Sequence, residues 1–229
     1  MMEIPNDSRI SDWVIYKNNQ FIAFNKPPGL PVQSDKTGDK ALQDIASAYT
    51  HAKLHLVHRL DRPAGGIALF AKTEKALQAI NEQFRQRAVE KVYLAVVGEK
   101  PESEAGKLIH FVSKNGRTNK TSISTEEAPN SKRAELSYRL LGSSDRYHLL
   151  EISLLTGRHH QIRAQLASIG CPIKGDVKYG FRRSNKDRSI HLHAWKLKFR
   201  HPVSGELEQL QAAPPTDDPV WAAFAPFLI

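Results

Sequence analysis

The stretch HRLDRPAGGIALFAKT, residues 58–73, decides the fold because it places charged side chains directly before an apolar strand. Its second half has the composition of a buried β-strand, and LHLV, residues 54–57, precedes it as a second strand. The Pro and Gly residues between the two strands predict a turn. We therefore expect Asp61 to lie in a loop between two buried strands, where a rigid scaffold positions it.

The elements around this stretch are predicted from the spacing of apolar residues. Residues 39–49 and 73–87 have the spacing of amphipathic helices, and Thr73 is a favourable N-cap residue for the second helix. Further helices are predicted over residues 159–169 and near residues 220–227. Strands are predicted within residues 13–26, which turn at Asn18-Asn19, and in residues 90–99, which alternate in the period of a half-buried strand. Residues 133–141 and 146–155 predict a hairpin that turns at residues 142–145, and residues 191–199 and 206–212 predict two further strands.

Two polar segments interrupt these elements. KPPGLPVQSD, residues 26–35, is too rich in Pro and Gly for regular structure, and residues 113–132 predict an exposed loop with a short strand inside. Strands outnumber helices and are mostly joined by short turns, which predicts an α+β fold with a mixed, largely antiparallel central β-sheet flanked by helices and loops. We expect one domain, with room for two lobes, over residues 1–229.

Composition limits the classes of function. The chain has 33 Lys and Arg against 24 Asp and Glu, a formal net charge of +9. This excess favours a polyanionic partner, nucleic acid before membrane. No apolar run approaches the roughly 18 residues that a membrane span needs. Cys171 is the only cysteine, which excludes an intrachain disulfide and a cysteine zinc site and fits a reducing cytoplasm.

The stretch TGRHHQIRAQL, residues 156–166, joins basic side chains to the start of a predicted helix. A helix N-terminus presents N–H groups to anions, so the basic residues 158–160 would form a patch that favours anions. Arg163 lies about 100° around the helix from Ile162 and could point into a cleft while Ile162 faces the core. A solvated basic helix face is the simpler alternative, and the residues alone leave both open.

Other candidates also have structural explanations. Asp61, which precedes Arg-Pro, could simply accept backbone N–H groups and shape a turn. Tyr93 could be a core aromatic whose hydroxyl reaches the surface. The ten histidines raise a metal-dependent phosphodiesterase or nuclease as an alternative. However, the predicted strand between His55 and His58 would separate their side chains, and no HExxH spacing occurs, so we expect no metal site.

Several segments together resemble the RluA-type pseudouridine synthases. They are FNKPPGLPV (24–32), HRLDRPAGG (58–66), EKVYLAVVGE (90–99), TGRHHQIRAQLASIGCPIKGDVKYG (156–180) and LHAWKLKFRHPVSGE (192–206). They follow the family's order over nearly the whole chain. The resemblance implies the pseudouridine synthase catalytic fold in a compact member, without the N-terminal S4 RNA-binding module that many relatives carry.

The resemblance also implies a reaction and a site. A uracil is detached from C1′ of its ribose, rotated and rejoined through C5, without cofactor or metal. Asp61 would be the nucleophile, Arg163 its ion-pair partner and Tyr93 part of the uracil pocket. Arg59 would enter the stack that the flipped nucleotide leaves. Further substrate-binding residues implied in this way are His58, Arg158, His160 and Gln161.

The expected partner is a stem-loop of ribosomal or transfer RNA, bound by a cytoplasmic monomer. One departure concerns Ala64 and Gly65, which stand where the family usually has a pair of hydroxyl residues. We expect this change to remove hydrogen bonds near Asp61 and to leave a more flexible turn. It also keeps open a second hypothesis, a catalytically silent RNA-binding protein on the same scaffold.

Overall fold

A computed structural model describes residues 9–34 and 38–228 of the chain. These residues form two compact units. The first comprises the described parts of Met1–Glu90 with His193–Pro214, and the second those of Lys91–Leu192 with Pro215–Ile229. A single catalytic domain over residues 1–229 stays a prediction.

The described residues contain eleven strands, which are β1 (Val14–Lys17), β2 (Phe21–Lys26), β3 (His55–Leu56), β4 (Gly65–Ala71), β5 (Glu90–Val97), β6 (Ala105–Asn115), β7 (Lys120–Ser124), β8 (Lys132–Ser143), β9 (His148–Leu154), β10 (Leu192–Arg200) and β11 (Leu207–Gln211). Their α-helices are α1 (Leu42–Thr50), α2 (Glu74–Arg85), α3 (Gln161–Ser168) and α4 (Pro219–Ala223). Single 3₁₀ turns occur at Ile10–Trp13, Val177–Tyr179 and Ala225–Phe227. The predicted α+β class is confirmed.

In the first unit, β4 is the centre of a mixed sheet. β2 runs antiparallel along one edge of β4, and β10 runs parallel to its start, where His193 lies opposite Gly65. β1 extends the sheet beyond β2, and β11 extends it beyond β10. All seven residues of β4 are buried. A Cβ on Gly66, which has a φ of 106°, would lie 2.3 Å from the carbonyl oxygen of Ala194, so only glycine allows this close pairing.

Two expectations for the first unit need correction. β3 has only two residues, both half-buried, so Asp61 lies between one short strand and one buried strand rather than between two buried strands. In α1, Tyr49 keeps 37% of its surface exposed, although its spacing predicts a core position.

The Thr73 N-cap predicted for α2 is confirmed, since its side chain accepts a hydrogen bond from the Ala76 N–H at 3.1 Å.

The second unit contains an antiparallel sheet in the order β5-β9-β8-β6-β7. The hairpin predicted for β8 and β9 is confirmed. β6 lies largely outside the predicted strands, and only β7 matches the short strand expected within residues 113–132. β5 does not alternate as predicted, because Tyr93 and the four residues after it are all buried.

The C-terminal segment is tied to the second unit by Asp218. Its carboxylate accepts the N–H groups of Val220 and Trp221 at the start of α4 and lies 3.1 Å from Nε2 of His191. Within the described part of the chain, no helix has both the length and the apolar character needed to span a membrane.

Candidate active site

Asp61 lies in a loop that two clamps hold against residues 27–31. The Gly29 N–H donates to the Arg62 carbonyl oxygen at 2.7 Å, and Arg62 Nε donates back to the Gly29 carbonyl oxygen at 2.9 Å. The Arg62 guanidinium also pairs with Asp39 at 2.5 Å. Next to these contacts, the Ala64 N–H closes a turn onto the Asp61 carbonyl oxygen at 3.0 Å. Asp61 itself is half-buried, so a loop with a fixed backbone carries a partly exposed aspartate.

A buried lysine supports this loop from behind. Lys26 ends β2 with no exposed surface, and its ammonium donates to the carbonyl oxygens of Pro27 at 2.9 Å, Leu30 at 2.8 Å and Arg62 at 3.3 Å. Burial lowers the pKa of Lys26 to about 7, and the negative charge of Asp61 opposes that shift. Sequence reasoning gave Lys26 no role, although a lysine that ends the apolar run FIAFN is unusual.

The Ala64-Gly65 departure has a structural explanation. Both residues are buried, and Gly65 begins β4 opposite His193. A Cβ on Gly65 would lie 3.0 Å from Nδ1 of His193, so that imidazole occupies the space of a side chain. The expected flexible turn is therefore wrong for Gly65, which is part of a paired strand.

The remaining predicted residues of this loop differ in exposure. Arg59 is exposed, whereas His58 is half-buried with its ring 6.1 Å from that of Phe84. Arg59 lies two residues before Asp61, and its long side chain is open to solvent.

Arg163 is buried in the second unit and binds a carboxylate that the sequence did not indicate. Its Nε donates to Oδ2 of Asp176 at 2.7 Å, and its Nη2 donates to Oδ1 at 2.9 Å. Both side chains are at most 5% exposed. The guanidinium carbon also lies 5.1 Å from the ring centroid of Tyr179. Such bidentate pairing fixes the plane of the guanidinium.

Tyr179 joins this pair to β7 and to the start of α3. Its hydroxyl oxygen accepts the Thr121 N–H at 2.8 Å and lies 2.9 Å from Nδ1 of His160. The hydroxyl of Thr121 donates to the carbonyl oxygen of His159 at 2.8 Å. His160 precedes α3 in a left-handed conformation, with a φ of 48°. The helix therefore begins at Gln161 rather than at residue 159 as predicted.

Gln161 is buried, and its side chain bonds to protein groups. Its Oε1 accepts the hydroxyl of Thr156 at 2.8 Å and the N–H of Arg158 at 3.0 Å, while Nε2 donates to the carbonyl oxygen of Glu135 at 3.2 Å. This arrangement suits Gln161 to positioning the residues around it.

Arg158 is exposed, in contrast to Gln161, and its Nε donates to the carbonyl oxygen of Arg133 at 3.1 Å. Burial, and then the positive charge of Arg158, lower the pKa of Lys91 to about 8. The two cations therefore form a region of positive potential in the second unit.

The predicted residues are distributed over both units. Of the residues predicted from the sequence, the first unit contains Asp61, Arg59 and His58, and the second contains Arg163, Tyr93, Arg158, His160 and Gln161. The structure places Lys26 and His193 beside the predicted residues of the first unit, and Asp176 and Tyr179 beside those of the second. Tyr93 is 7% exposed and lies opposite Ile152 of β9. Among residues 9–34 and 38–228, no three His, Cys, Asp or Glu side chains form a group that could hold a metal ion.

Comparison with known proteins gives a consistent result. The sequence model of a family described as RNA pseudouridylate synthase matches residues 20–168. A ribosomal large subunit pseudouridine synthase C of Rickettsia conorii is 35% identical over 217 residues, which are 90% of this chain and 69% of that protein. The protein of the same name in Rickettsia felis is 36% identical over 218 residues, with 90% and 68% covered.

Solved structures show the same fold. The human protein described as RNA pseudouridylate synthase domain containing 4 superposes with a TM-score of 0.76 at 24% identity, covering 96% of this chain and 94% of that one.

Proposed function

The chain belongs to the RNA pseudouridylate synthase family and is an RNA pseudouridine synthase; from this premise we propose that it isomerises specific uridines of ribosomal RNA. The relatives named above are ribosomal large subunit enzymes, and they support ribosomal RNA rather than transfer RNA as the substrate. We also propose a stem-loop as the target, because a base in a loop is easier to extrude than one in a duplex. A monomer in the cytoplasm remains our prediction.

We propose that Asp61 is the nucleophile. In the reaction the bond between C1′ and N1 breaks, the uracil turns, and a bond between C1′ and C5 forms; C5 loses its proton and N1 gains one. The product is an isomer, so the reaction needs no oxidant or reductant and no cofactor. A carboxylate in a clamped loop can attack and leave again, as covalent catalysis requires. The partial exposure of Asp61 on that clamped loop is the observation that carries the proposal.

Arg163 is proposed to orient and charge the Asp61 carboxylate. A guanidinium has five N–H donors, and Arg163 directs two of them, on Nε and Nη2, at the two carboxylate oxygens of Asp176, at 2.7 and 2.9 Å. Asp176 thus fixes the plane in which those donors point. A neighbouring guanidinium favours the ionised form of a carboxylate, the form that attacks carbon.

The remaining side chains are proposed to bind the RNA. Arg59, which is exposed, would fill the stack that the extruded nucleotide leaves, and Tyr93 would lie against the uracil. Arg158, His160 and His58 would contact the nucleotides around it. Extrusion costs a few kcal/mol, which stacking and arginine insertion offset.

Pseudouridine mapping tests this function. Total RNA from cells with and without the gene is compared, and the lost site should lie in ribosomal RNA; a loss confined to transfer RNA would refute the proposed substrate. Re-expression of the native chain should restore the site, and the purified chain should form it in a ribosomal RNA fragment in the presence of EDTA. Loss of product with EDTA would favour a metal-dependent activity, and RNA binding without product would favour a silent binding protein.

A further inference from the structure

Two hairpins of the second unit differ sharply in charge. The hairpin of β6 and β7, Ala105–Ser124, contains four Lys and Arg and no Asp or Glu. The hairpin of β8 and β9, Lys132–Leu154, also contains four Lys and Arg but has three acidic residues, Glu135, Asp145 and Glu151. Neighbouring hairpins of one sheet therefore present different electrostatic surfaces.

The ion pairs involve the acidic residues of β8 and β9, and one of them joins the two hairpins, since Lys107 of β6 pairs with Glu135 at 2.5 Å. On the hairpin of β8 and β9, Arg133 pairs with Glu135 and Arg139 pairs with Glu151, both at 2.9 Å. The tip of the hairpin of β6 and β7, which we call the basic tip, carries Lys114, Arg117 and Lys120, all exposed. Within the described part of the chain, no carboxylate lies within salt-bridge distance of these three cations. Three uncompensated positive charges at one exposed turn attract a polyanion.

The basic tip is also anchored at its base. Thr121 is only 4% exposed and is held by the Tyr179 hydroxyl and the His159 carbonyl group. Lys120, its neighbour, places its ammonium 5.3 Å from the Tyr179 ring centroid, and the same ring has the Arg163 guanidinium at 5.1 Å. These two cations are therefore no more than roughly 10 Å apart. The tip has a fixed position relative to the arginine that is proposed to serve the reaction.

We propose that the basic tip binds the phosphate backbone of the substrate RNA beside the nucleotide that reacts, with Lys120 closest to the reaction centre. This inference rests on the proposed function. Lys and Arg contacts to phosphates carry no sequence information, so the basic tip would add affinity and register while other residues select the uridine. Each phosphate that is bound releases counterions, and the binding weakens with salt.

The test combines Lys114→Gln, Arg117→Gln and Lys120→Gln in one variant and compares it with Arg146→Gln. Arg146 is exposed at the tip of the other hairpin, which lies at the opposite end of the same sheet. Affinity for a ribosomal RNA stem-loop is measured from low to high salt. The triple variant should bind at least about tenfold more weakly at low salt, and its log–log salt slope should flatten by about 2, since each phosphate on single-stranded RNA contributes about 0.7. Arg146→Gln should leave both quantities unchanged.

Single-turnover rates and a folding control complete the test. At saturating RNA, Arg117→Gln should keep most of the native rate and Lys120→Gln should lose more, because Lys120 contacts the same Tyr179 ring as Arg163. Circular dichroism and a urea midpoint should show that the triple variant folds. The inference fails if the folded triple variant binds RNA like the native chain, or if Arg146→Gln weakens binding equally. Both outcomes can be told apart from failure of the proposed function, because affinity and its salt dependence are measured without any formation of pseudouridine.

Discussion

Asp61 and Asp176 are both aspartates beside basic side chains, but their surroundings differ. Asp176 is 2% exposed, and the guanidinium of Arg163 engages both of its oxygens. Asp61 is half-buried on a loop, and the buried base behind it is Lys26, whose pKa lies near neutrality. A carboxylate bound at both oxygens by a buried arginine is suited to fixing that arginine. A partly exposed aspartate on a clamped loop is suited to meeting a substrate.

The largest effect on stability is expected for Asp176→Asn. The substitution leaves the buried Arg163 charge without its bidentate partner, and breaking a buried ion pair costs about 3–5 kcal/mol. Urea unfolding should show this loss, and product formation should fall with it because Arg163 loses its orientation. Asp145→Asn, at an exposed turn of the same unit, is the matched control. A native midpoint for Asp176→Asn would mean that Asp176 does not hold Arg163.

The second effect is a pH dependence of the unfolding free energy, and it arises from His193 in the first unit, which also contains Asp61. Burial lowers the pKa of His193 to about 4, while an unfolded histidine titrates near 6.5. The unfolded chain therefore binds more protons between these values, and stability falls as pH drops from about 6.5 to 4, by about 3 kcal/mol. His193→Gln should flatten this part of the profile of unfolding free energy, and His51→Gln, at an exposed site, should not. An unchanged profile in His193→Gln would assign the acid sensitivity to other groups.

The smallest effect is expected for Tyr179→Phe. The ring that packs against Arg163 remains, but the buried Thr121 N–H loses its acceptor, which costs about 1–3 kcal/mol. Hydrogen exchange at the Thr121 amide should accelerate, while the single-turnover rate stays close to native. Tyr179→Leu, which also removes the ring, should lower that rate further. Equal rates in both variants would show that the ring does not help to position Arg163.

Sequence patterns predicted the elements that have clear periodicity or composition. The buried β4, the β8 and β9 hairpin and the Thr73 cap follow from apolar runs, turn residues and capping chemistry, which are local properties. The sequence did not predict β6, because its residues are mostly exposed or half-buried and only Val112 among them is buried. Its pairing with β8 and β7 stabilises it, and a local pattern does not contain that pairing.

Candidate site residues could be proposed from the sequence where they lie in a charged motif, but their partners could not be, because those lie far away in the sequence. Asp61 and Arg163 stood out within charged motifs. Asp176 and Tyr179 lie 13 and 16 residues beyond Arg163, and only the fold brings them to its guanidinium. Lys26 was missed for the same reason, because its three carbonyl partners come from two loops.

The measurement that tests the account most directly is single-turnover pseudouridine formation by Asp61→Asn and Asp61→Ala, with RNA affinity and the urea midpoint determined on the same preparations. We predict a loss of at least about a thousandfold in rate, as for removal of a nucleophile in other enzymes, with RNA affinity and stability close to native. The alanine variant excludes recovery through deamidation of asparagine. Substantial turnover by the alanine variant would contradict the account and remove Asp61 from the chemistry.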